Sequence, residues 1–354
     1  MGGERMGLFL IIDNKVQWET LLDNFKEADI YYSYDFGKLF AKEESGKLLA
    51  AYYEDESSKI FYPFIKREVD WEGEPIFDIV TPYGYGGPLL DGCCESIVLF
   101  YQCFEKFCKE NNIITETIRF HPVKKNYEMC KNVLDIEYIR KTTAVDLTLP
   151  LDEIREHYST MNKKNILKAK NGGLFCYVAE NTLKNIHTFI ELYWETMDRN
   201  HADSYYYFNE KYFFDQMKHT KLSETFLLFT QCDDEVIAGV MVLKGTKYSH
   251  YHLGASRTPY LHLKPNNLLF DFMIEFCKSK GSSLLHLGGG RQENDGLFKF
   301  KTSFTNHNNY DYFIGKRVYD QNKYNKISEK VKCQYKVNEE YFPLYRGKKE
   351  LLIN

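Results

Sequence analysis

Basic and aromatic residues alternate shortly after a glycine cluster in the last quarter of the sequence. Gly288–Gly290 closes an apolar run, and Phe298–Lys301 follows a few residues later. Glycines let a ligand approach the backbone closely, and a lysine ammonium can stabilise negative charge on a carbonyl oxygen. The alternation predicts a strand with Lys299 and Lys301 on one face. Three interpretations remain open here: a phosphate loop, a plain turn before an edge strand, and the wall of an active site.

The glycine cluster does not fit the common nucleotide-binding motifs. A Walker loop needs a lysine directly after its last glycine, and the dinucleotide motif needs a glycine where Glu293 stands. The nucleophile motif G-x-S-x-G is absent as well. His250 and His252 are predicted to share one face of a strand, but no carboxylate or cysteine stands at a recognisable metal spacing from them or from His286. We therefore predict no metal site, and no helix is evident directly after the glycines.

Two other segments carry charges that suit phosphate. Arg199 stands at the predicted end of a helix, before a tyrosine-rich loop that contains Tyr206. A guanidinium suits phosphate or carboxylate, and a plain surface arginine is the alternative. The segment Asn162–Gly173 reads as a short basic helix with a glycine stop. Its lysines either lie on a solvated surface or attract a ligand, which would be a phosphorylated molecule or the end of an RNA.

Composition narrows the class of protein. The chain has 354 residues, which favours two domains. Its 46 basic and 50 acidic residues give a net charge of −4, which argues against a protein that grips long nucleic acid. The nine cysteines form no C-x-x-C motif, and no signal peptide is recognised, so we expect reduced thiols in the cytoplasm. The apolar run near the start is too short to span a bilayer.

The order of predicted elements repeats along the chain. The segment 46–67 reads as strand, turn and strand, and the segment 225–256 reads as three strands joined by turns. A helix and a short strand follow each of these segments, and Phe107 and Phe276 occupy matching positions in the two helices. We therefore predict a duplicated α/β fold (mixed α+β) with helices covering mixed sheets. The predicted domains are residues 1–145 and 146–354.

Four stretches resemble the Fem-type peptidyltransferases, which share the fold of the GCN5-related N-acetyltransferases (GNAT). The stretches are "YSYDFGKLFAKEESGKL", "TPYGYGGPLL", "LYWETMDRN" with "YYYFNEKYF", and "LHLGGG" with "DGLFKFKTSF". They occur in the family's order over most of the chain. The resemblance implies two tandem GNAT-like acyltransferase domains with the acyl-transfer site in the second. No long charged heptad region is visible, so no long coiled-coil arm is expected.

The resemblance also implies roles for single residues. Phe300 and Lys301 match the family's Phe-Lys pair beside the reacting carbonyl, and Gly289 and Gly290 would leave space for the acyl group. Asp295 or a substrate group would accept the proton of the attacking amine. The residues expected to bind substrate, the first two as anchors of a pyrophosphate, are Lys42, Arg199 and Tyr206.

The expected activity is transfer of an activated acyl or aminoacyl group to an amine of a cell-wall precursor, such as a UDP-linked muropeptide. One alternative is an acyl-CoA-dependent N-acyltransferase that acts on an amino sugar or surface polysaccharide precursor. The second is a non-catalytic domain that binds a phosphorylated sugar. No tightly bound cofactor is expected, since aminoacyl-tRNA or acyl-CoA would be the donor substrate. The expected partners are a nucleotide-sugar or muropeptide and the acceptor end of tRNA, with at most peripheral membrane contact.

Overall fold

The computed structural model describes residues 7–351, so residues 1–6 and 352–354 of the predicted domains lie outside the described residues. The strands are β1 (Leu8–Ile12), β2 (Gly46–Glu54), β3 (Ser58–Val69), β4 (Ile76–Val80), β5 (Leu89–Gly92), β6 (Ile113–Arg119), β7 (Asp135–Asp146), β8 (Phe175–Val178), β9 (Glu224–Cys232), β10 (Glu235–Lys244), β11 (Tyr248–Ser256), β12 (Leu284–Gly288), β13 (Asn309–Val318), β14 (Tyr335–Val337) and β15 (Lys349–Leu351). The helices are α1 (Lys15–Leu22), α2 (Tyr34–Glu43), α3 (Ser96–Glu110), α4 (Leu151–Glu156), α5 (Thr160–Asn171), α6 (Leu183–Arg199), α7 (Glu210–Gln216), α8 (Pro265–Ser279), α9 (Gly296–Thr302) and α10 (Gln321–Gln334).

The chain divides into two units. Unit 1 contains residues 1–139 and 312–354, and unit 2 contains residues 140–311. The predicted domain boundary after residue 145 lies close to residues 139 and 140, where the chain first passes from unit 1 to unit 2. The return of the chain to unit 1 at residue 312 was not predicted. Residues 312–354 were predicted to belong to the second domain, but they belong to unit 1.

Unit 1 is built on a mixed sheet whose strands follow the order β1-β2-β3-β4-β6-β13, with β5 paired to β3. Neighbouring strands are antiparallel except for β4 and β6, which are parallel. The helix α3 packs an aromatic face on this sheet. Phe100 and Phe104 are fully buried there, and Phe104 contacts Tyr62 and Phe64 with ring centroids 5.4 Å apart in both pairs. Aromatic packing of this kind uses part of the chain's large number of tyrosine and phenylalanine residues.

The C-terminal segment completes unit 1. Val331 and Leu344 pack with Val69 and Ile76 in a second apolar cluster. Arg346 donates a hydrogen bond to buried Asp78 at 2.7 Å. The tail therefore fills part of this unit's core and satisfies one of its buried carboxylates.

Unit 2 has a sheet in the order β7-β12-β11-β10-β9-β8, in which only β11 and β12 are parallel neighbours. The helix α8 begins with Pro265. Proline suits the first helical position because an N–H at that position would have no acceptor within the helix. Its buried face includes Leu269, Met273 and Ile274, which pack with Val240 and Val242 of β10. This core supports β11 and β12, the strands that carry the glycine cluster and its neighbours.

The predicted repetition of elements is visible in each unit taken separately. In unit 1, α3 lies in the connection between the parallel strands β4 and β6. In unit 2, α8 lies in the connection between the parallel strands β11 and β12. Phe107 and Phe276 belong to these two helices, each of which is 15 residues long. Within residues 7–351, none of the helices combines the length and the apolar character needed to cross a membrane.

Candidate active site in unit 2

The segment predicted as an alternating strand is the helix α9. Asp295 caps it, because its side chain accepts a hydrogen bond from the backbone N–H of Phe298 at 2.8 Å. Such an N-cap stabilises a helix start, and here it outweighs the strand-like alternation of aromatic and basic residues. Phe298 and Lys301, three positions apart, are both buried, whereas Lys299 is exposed. The prediction that Lys299 and Lys301 share a face was therefore wrong, and the helix that follows the glycines was not evident in the sequence.

The Lys301 side chain is an amine almost excluded from water. It is 5% exposed, and its Nζ donates a hydrogen bond to the carbonyl oxygen of Gly289 at 2.7 Å. The same nitrogen lies 5.0 Å from the ring centroid of Tyr251, a cation–π contact. Burial lowers the pKa of Lys301 to about 7, against a smaller opposing effect of Asp295, and Arg140 lowers it further. Near neutral pH this amine exists in both its charged and its neutral form.

An aromatic cluster supports Lys301 from within unit 2. The Tyr251 ring packs against Phe270 with centroids 5.2 Å apart, and Phe270 contacts Phe300 at 4.9 Å. Phe300 also contacts Phe304 at 5.4 Å. Gly254 is required beside this cluster, because a Cβ there would lie 2.1 Å from the Tyr251 hydroxyl oxygen. Phe300 is thus part of the packing beneath the amine, and its predicted place beside the reacting carbonyl stays a prediction.

The glycine cluster is needed for close packing. Gly288 has a φ of +72°, a conformation that other residues rarely adopt. A Cβ at Gly289 would lie 2.8 Å from the Lys141 carbonyl oxygen, and one at Gly290 would lie 2.0 Å from Asp295 Oδ1. These glycines let the carbonyl of Gly289 reach Lys301 while the Asp295 side chain turns back over Gly290. Their predicted role in leaving space for an acyl group is not tested by these contacts.

The Asp295 carboxylate is fully engaged in its own loop. Oδ2 accepts hydrogen bonds from the backbone N–H groups of Arg291 at 2.5 Å and Gln292 at 3.1 Å, while Oδ1 accepts from Phe298. Burial works to raise the pKa of Asp295, but the combined backbone hydrogen bonds hold it below its ordinary value. A carboxylate stabilised in this way is a poor proton acceptor. The geometry therefore favours a capping role over the predicted acid–base role.

Arg199 ends α6 and is bonded to the end of β11. Its guanidinium donates to the carbonyl oxygen of Ser256 at 2.7 Å and to Oγ1 of Thr258 at 2.9 Å. Tyr206 lies in the following loop, where its side chain is 40% exposed and its carbonyl oxygen accepts a hydrogen bond from the Tyr193 hydroxyl at 2.8 Å. Both residues thus hold the loop after α6 in place. Their substrate contacts stay predictions.

Lys42 is the one predicted site residue in unit 1. It is exposed in the last turn of α2. The other predicted site residues lie in unit 2, where Lys301, Phe300, Asp295, Gly289 and Gly290 come together around the start of α9. The pairing of Lys42 with Arg199 in one pyrophosphate clamp therefore stays a prediction.

Several residues that hold this site together were not predicted from the sequence. Asn162 of α5 is 3% exposed and donates to the Ser303 hydroxyl at 2.7 Å, and its own amide oxygen accepts from Asn267 at 2.7 Å. This network attaches the end of α9 to α5 and α8. The only signal in the sequence was Asn162 itself, which lies in the segment predicted as a basic helix. That helix is confirmed as α5.

The histidines of β11 also differ from expectation. The register between β10 and β11 shifts so that Tyr251 pairs with Val242 and Leu253 with Met241, which leaves His252 as the extra residue of a β-bulge. His252 is hydrogen-bonded to the hydroxyl of Tyr212 at 2.5 Å through Nε2. This bulge interrupts the simple alternation of the strand between His250 and His252, and their predicted common face stays a prediction.

Comparison with known proteins agrees with this architecture. Residues 157–301 match the family model described as the acetyltransferase (GNAT) domain. The crystal structure of FemX is similar over 90% of this chain and 99% of its own, with a TM-score of 0.69 and 12% identity. The structure of L-PGS from Bacillus licheniformis is similar over 86% of this chain and 92% of its own, with a TM-score of 0.56 and 10% identity.

A third similar structure is the C-terminal domain of a putative lysylphosphatidylglycerol synthetase from Agrobacterium fabrum. The similarity extends over 88% of this chain and 94% of that domain, with a TM-score of 0.53 and 11% identity. No curated protein matches the chain at a significant level. The chain therefore has the fold of the Fem-type and GCN5-related proteins, as its sequence resemblance predicted, and residues 157–301 of its second unit match the acetyltransferase (GNAT) domain.

Proposed function

We propose that this acyltransferase moves an activated aminoacyl or acyl group to an amine of a cell-wall precursor, such as a UDP-linked muropeptide. The observation that carries the proposal is the buried amine of Lys301 beside the carbonyl of Gly289. The likeness to FemX over nearly the whole length of both chains supports the choice of an aminoacyl donor. We expect the reaction in the cytoplasm, where aminoacyl-tRNA and acyl-CoA are made.

In the proposed reaction, the substrate amine attacks the carbonyl carbon of the donor ester or thioester. A carbon–nitrogen bond forms, the carbonyl oxygen becomes negative, and the donor hydroxyl or thiol leaves. The Lys301 ammonium donates to that oxygen, an effect worth about 3 kcal/mol for a single well-placed donor. The proton lost by the amine goes to a substrate group or to the leaving group, because Asp295 is already held by three backbone N–H groups.

The charge state of Lys301 sets a pH dependence for this role. Its pKa of about 7 means that the ammonium form dominates below neutral pH and declines above it. An oxyanion stabiliser must be charged, so the chemical step should slow as the pH rises through this range. A lysine acting as a proton acceptor would give the opposite trend, because only its neutral form can take a proton.

A second candidate is transfer from acyl-CoA to an amino sugar or surface polysaccharide precursor. The match of residues 157–301 to the GNAT acetyltransferase domain favours this possibility. The chemistry at Lys301 would be the same, and only the donor and acceptor would differ. The arrangement around Lys301 supports both reactions equally.

The two candidates are separated by a transfer assay with matched donors. The purified chain is incubated with a UDP-linked muropeptide and with radiolabelled aminoacyl-tRNA or acyl-CoA, and labelled product is quantified. Transfer from aminoacyl-tRNA alone supports the first proposal, and transfer from acyl-CoA alone, to this acceptor or to an amino sugar, supports the second. Absence of transfer from every donor, with the Lys301→Ala variant indistinguishable from the unchanged chain, would leave only a binding function.

A further inference from the structure

The amine of Lys301 has few polar partners. Among residues 7–351, its Nζ makes one hydrogen bond, to the carbonyl oxygen of Gly289 at 2.7 Å, and has no carboxylate within ion-pair distance. An ammonium has three N–H donors to satisfy, whereas a neutral amine has two and a lone pair. The ring of Tyr251 favours the charged form but replaces none of the missing acceptors. These surroundings therefore also suit the neutral amine, whose lone pair no described residue occupies.

The nitrogen lies at the loop end of a buried side chain. Lys301 as a whole is 5% exposed, and the Tyr251 ring beside it packs against Phe270. Gly289, which accepts the hydrogen bond from Nζ, is half-buried, and the next residues of the loop, from Arg291 onward, are exposed. The reactive end of the side chain therefore points to the same loop that the proposed function uses for the donor carbonyl.

The titratable groups around Lys301 leave its neutral form available near pH 7. Burial has the largest effect and lowers the pKa of Lys301 to about 7. Asp295, at the start of the same helix, raises this pKa, and Arg140 of β7 lowers it. On β11, burial raises the pKa of Tyr251 to about 12, so that its ring stays uncharged. From α8, the ring that packs on this cluster is Phe270, which carries no charge.

We propose that Lys301 is also a self-acylation site: when no acceptor amine is bound, its neutral amine attacks the carbonyl carbon of the donor and becomes an amide. This inference rests on the proposed function, because that function brings the donor carbonyl to this nitrogen. A carbon–nitrogen bond forms, and the carbon–oxygen or carbon–sulfur bond of the donor breaks. The departing oxygen or sulfur takes the proton that the nitrogen loses. The products are N-acyl-lysine and a free hydroxyl or thiol, so no further reactant is needed.

Self-acylation would switch off the proposed transfer. The amide of an acylated Lys301 retains one N–H, which can still donate to Gly289, but it has no charge with which to stabilise an oxyanion. A chain that meets donor without acceptor would therefore inactivate itself. Transfer activity should fall in proportion to the fraction of chains that carry the amide.

The test is peptide mass spectrometry of the full chain after incubation with donor and without acceptor. The donors are acetyl-CoA and, separately, an aminoacyl-tRNA, each at pH 6 and pH 8. Acylation of Lys301 and of Lys299 is followed in time within the same sample. Lys299 is the internal control because it is an exposed lysine of the same helix. Lys301→Arg keeps a charge but has no amine to acylate, and it verifies the position of the adduct.

We expect Lys301 to react at least about tenfold faster than Lys299 at pH 8. At that pH about nine tenths of an amine with a pKa of about 7 is neutral, against about one in three hundred for an ordinary lysine. Between pH 6 and pH 8 the rate at Lys301 should rise about tenfold, whereas the rate at Lys299 should rise about a hundredfold from a much lower value. The pH profile thus identifies which kind of amine has reacted.

Equal acylation of Lys301 and Lys299 at pH 8 would overturn the proposal, as would absence of an adduct at Lys301 with both donors. A hundredfold rise at Lys301 between pH 6 and pH 8 would also overturn it, because that is the behaviour of an ordinary lysine. The proposed function fails separately: an adduct at Lys301 without transfer to any acceptor would leave self-acylation standing and remove the transfer reaction. Transfer that depends on Lys301, without an adduct at either pH, would do the reverse.

Discussion

Lys301 shows how a residue's environment can matter more than its type. Its ammonium would be fully charged in water, but burial lowers its pKa to about 7. The sequence resemblance pointed to this residue and to Phe300, Gly289 and Gly290 beside it. It could not show that Asp295 serves as a helix cap, because the carboxylate's partners are backbone N–H groups that only the folded loop brings together.

The depressed pKa of Lys301 predicts a stability cost that depends on pH. The unfolded chain binds a proton here up to pH ~10.5, whereas the folded chain releases it near pH 7. The cost is therefore full below about pH 7 and fades as the pH rises toward the unfolded value. Lys301→Met should stabilise the protein more at pH 6 than at pH 9, with a difference of at least about 1.4 kcal/mol, the equivalent of one pKa unit.

Urea unfolding at both pH values measures this difference, with Lys299→Met as the exposed control. A gain in stability that is equal at pH 6 and pH 9 would show that the amine is not held in a medium of low polarity.

Two substitutions distinguish a helix-capping role of Asp295 from a role as proton acceptor. Asn is a good helix cap but cannot accept a proton as a base, so Asp295→Asn should keep transfer activity within a few-fold. Asp295→Ala removes the cap and should destabilise the fold by about 1 kcal/mol and reduce activity through loss of helix position. Thermal melts and transfer rates of the two variants test this. A hundredfold loss in a folded Asp295→Asn variant would restore the acid–base role.

Among single elements, the sequence predicted several strands and helices, and it was wrong where local signals conflicted. The hairpin of β2 and β3, the three strands β9, β10 and β11, and the basic helix α5 are confirmed. The segment of α9 alternates like a strand, yet its capping aspartate and the burial of Phe298 and Lys301 select a helix. The bulge at His252 could not be predicted, because it depends on the register of β10 against β11.

The position of α9 depends on Asn162. Its side chain bonds to Ser303 and Asn267, and the group is buried. Asn162→Ala should lower stability by about 1–3 kcal/mol because it leaves buried polar partners unpaired. It should also lower kcat more than it raises KM, since α9 carries Lys301. Lys164→Ala, on the exposed side of the same helix, is the matched control. Equal stability and kinetics in both variants would contradict this positioning role.

At the scale of the whole molecule, the sequence predicted two α/β units but not the path of the chain through them. The return of residues 312–354 to unit 1 depends on contacts between residues far apart in sequence. Arg346 bonds to Asp78, and Leu344 packs with Val69 and Ile76. Such long-range contacts leave no periodic signal in either segment, so a boundary drawn from the order of elements alone cannot find them.

Removal of the tail should therefore damage unit 1 rather than unit 2. A chain ending at residue 311 lacks the strand that pairs with β6 and the apolar cover of Val69 and Ile76. Hydrogen exchange should show loss of protection in β4 and β6, while β10 and β11 of unit 2 remain protected. Equal protection of β4 and β6 in the full and shortened chains would contradict the assignment of the tail to unit 1.

Single-turnover kinetics of Lys301→Ala measure whether Lys301 stabilises the oxyanion of acyl transfer. The comparison is with Lys299→Ala, which removes the same charge from the exposed side of the same helix. We expect Lys301→Ala to slow the chemical step about a hundredfold or more, with little change in substrate affinity, and Lys299→Ala to stay near the unchanged rate. Both variants must give melting curves of a folded protein. Rates near that of the unchanged chain in both variants would show that Lys301 does not stabilise the oxyanion.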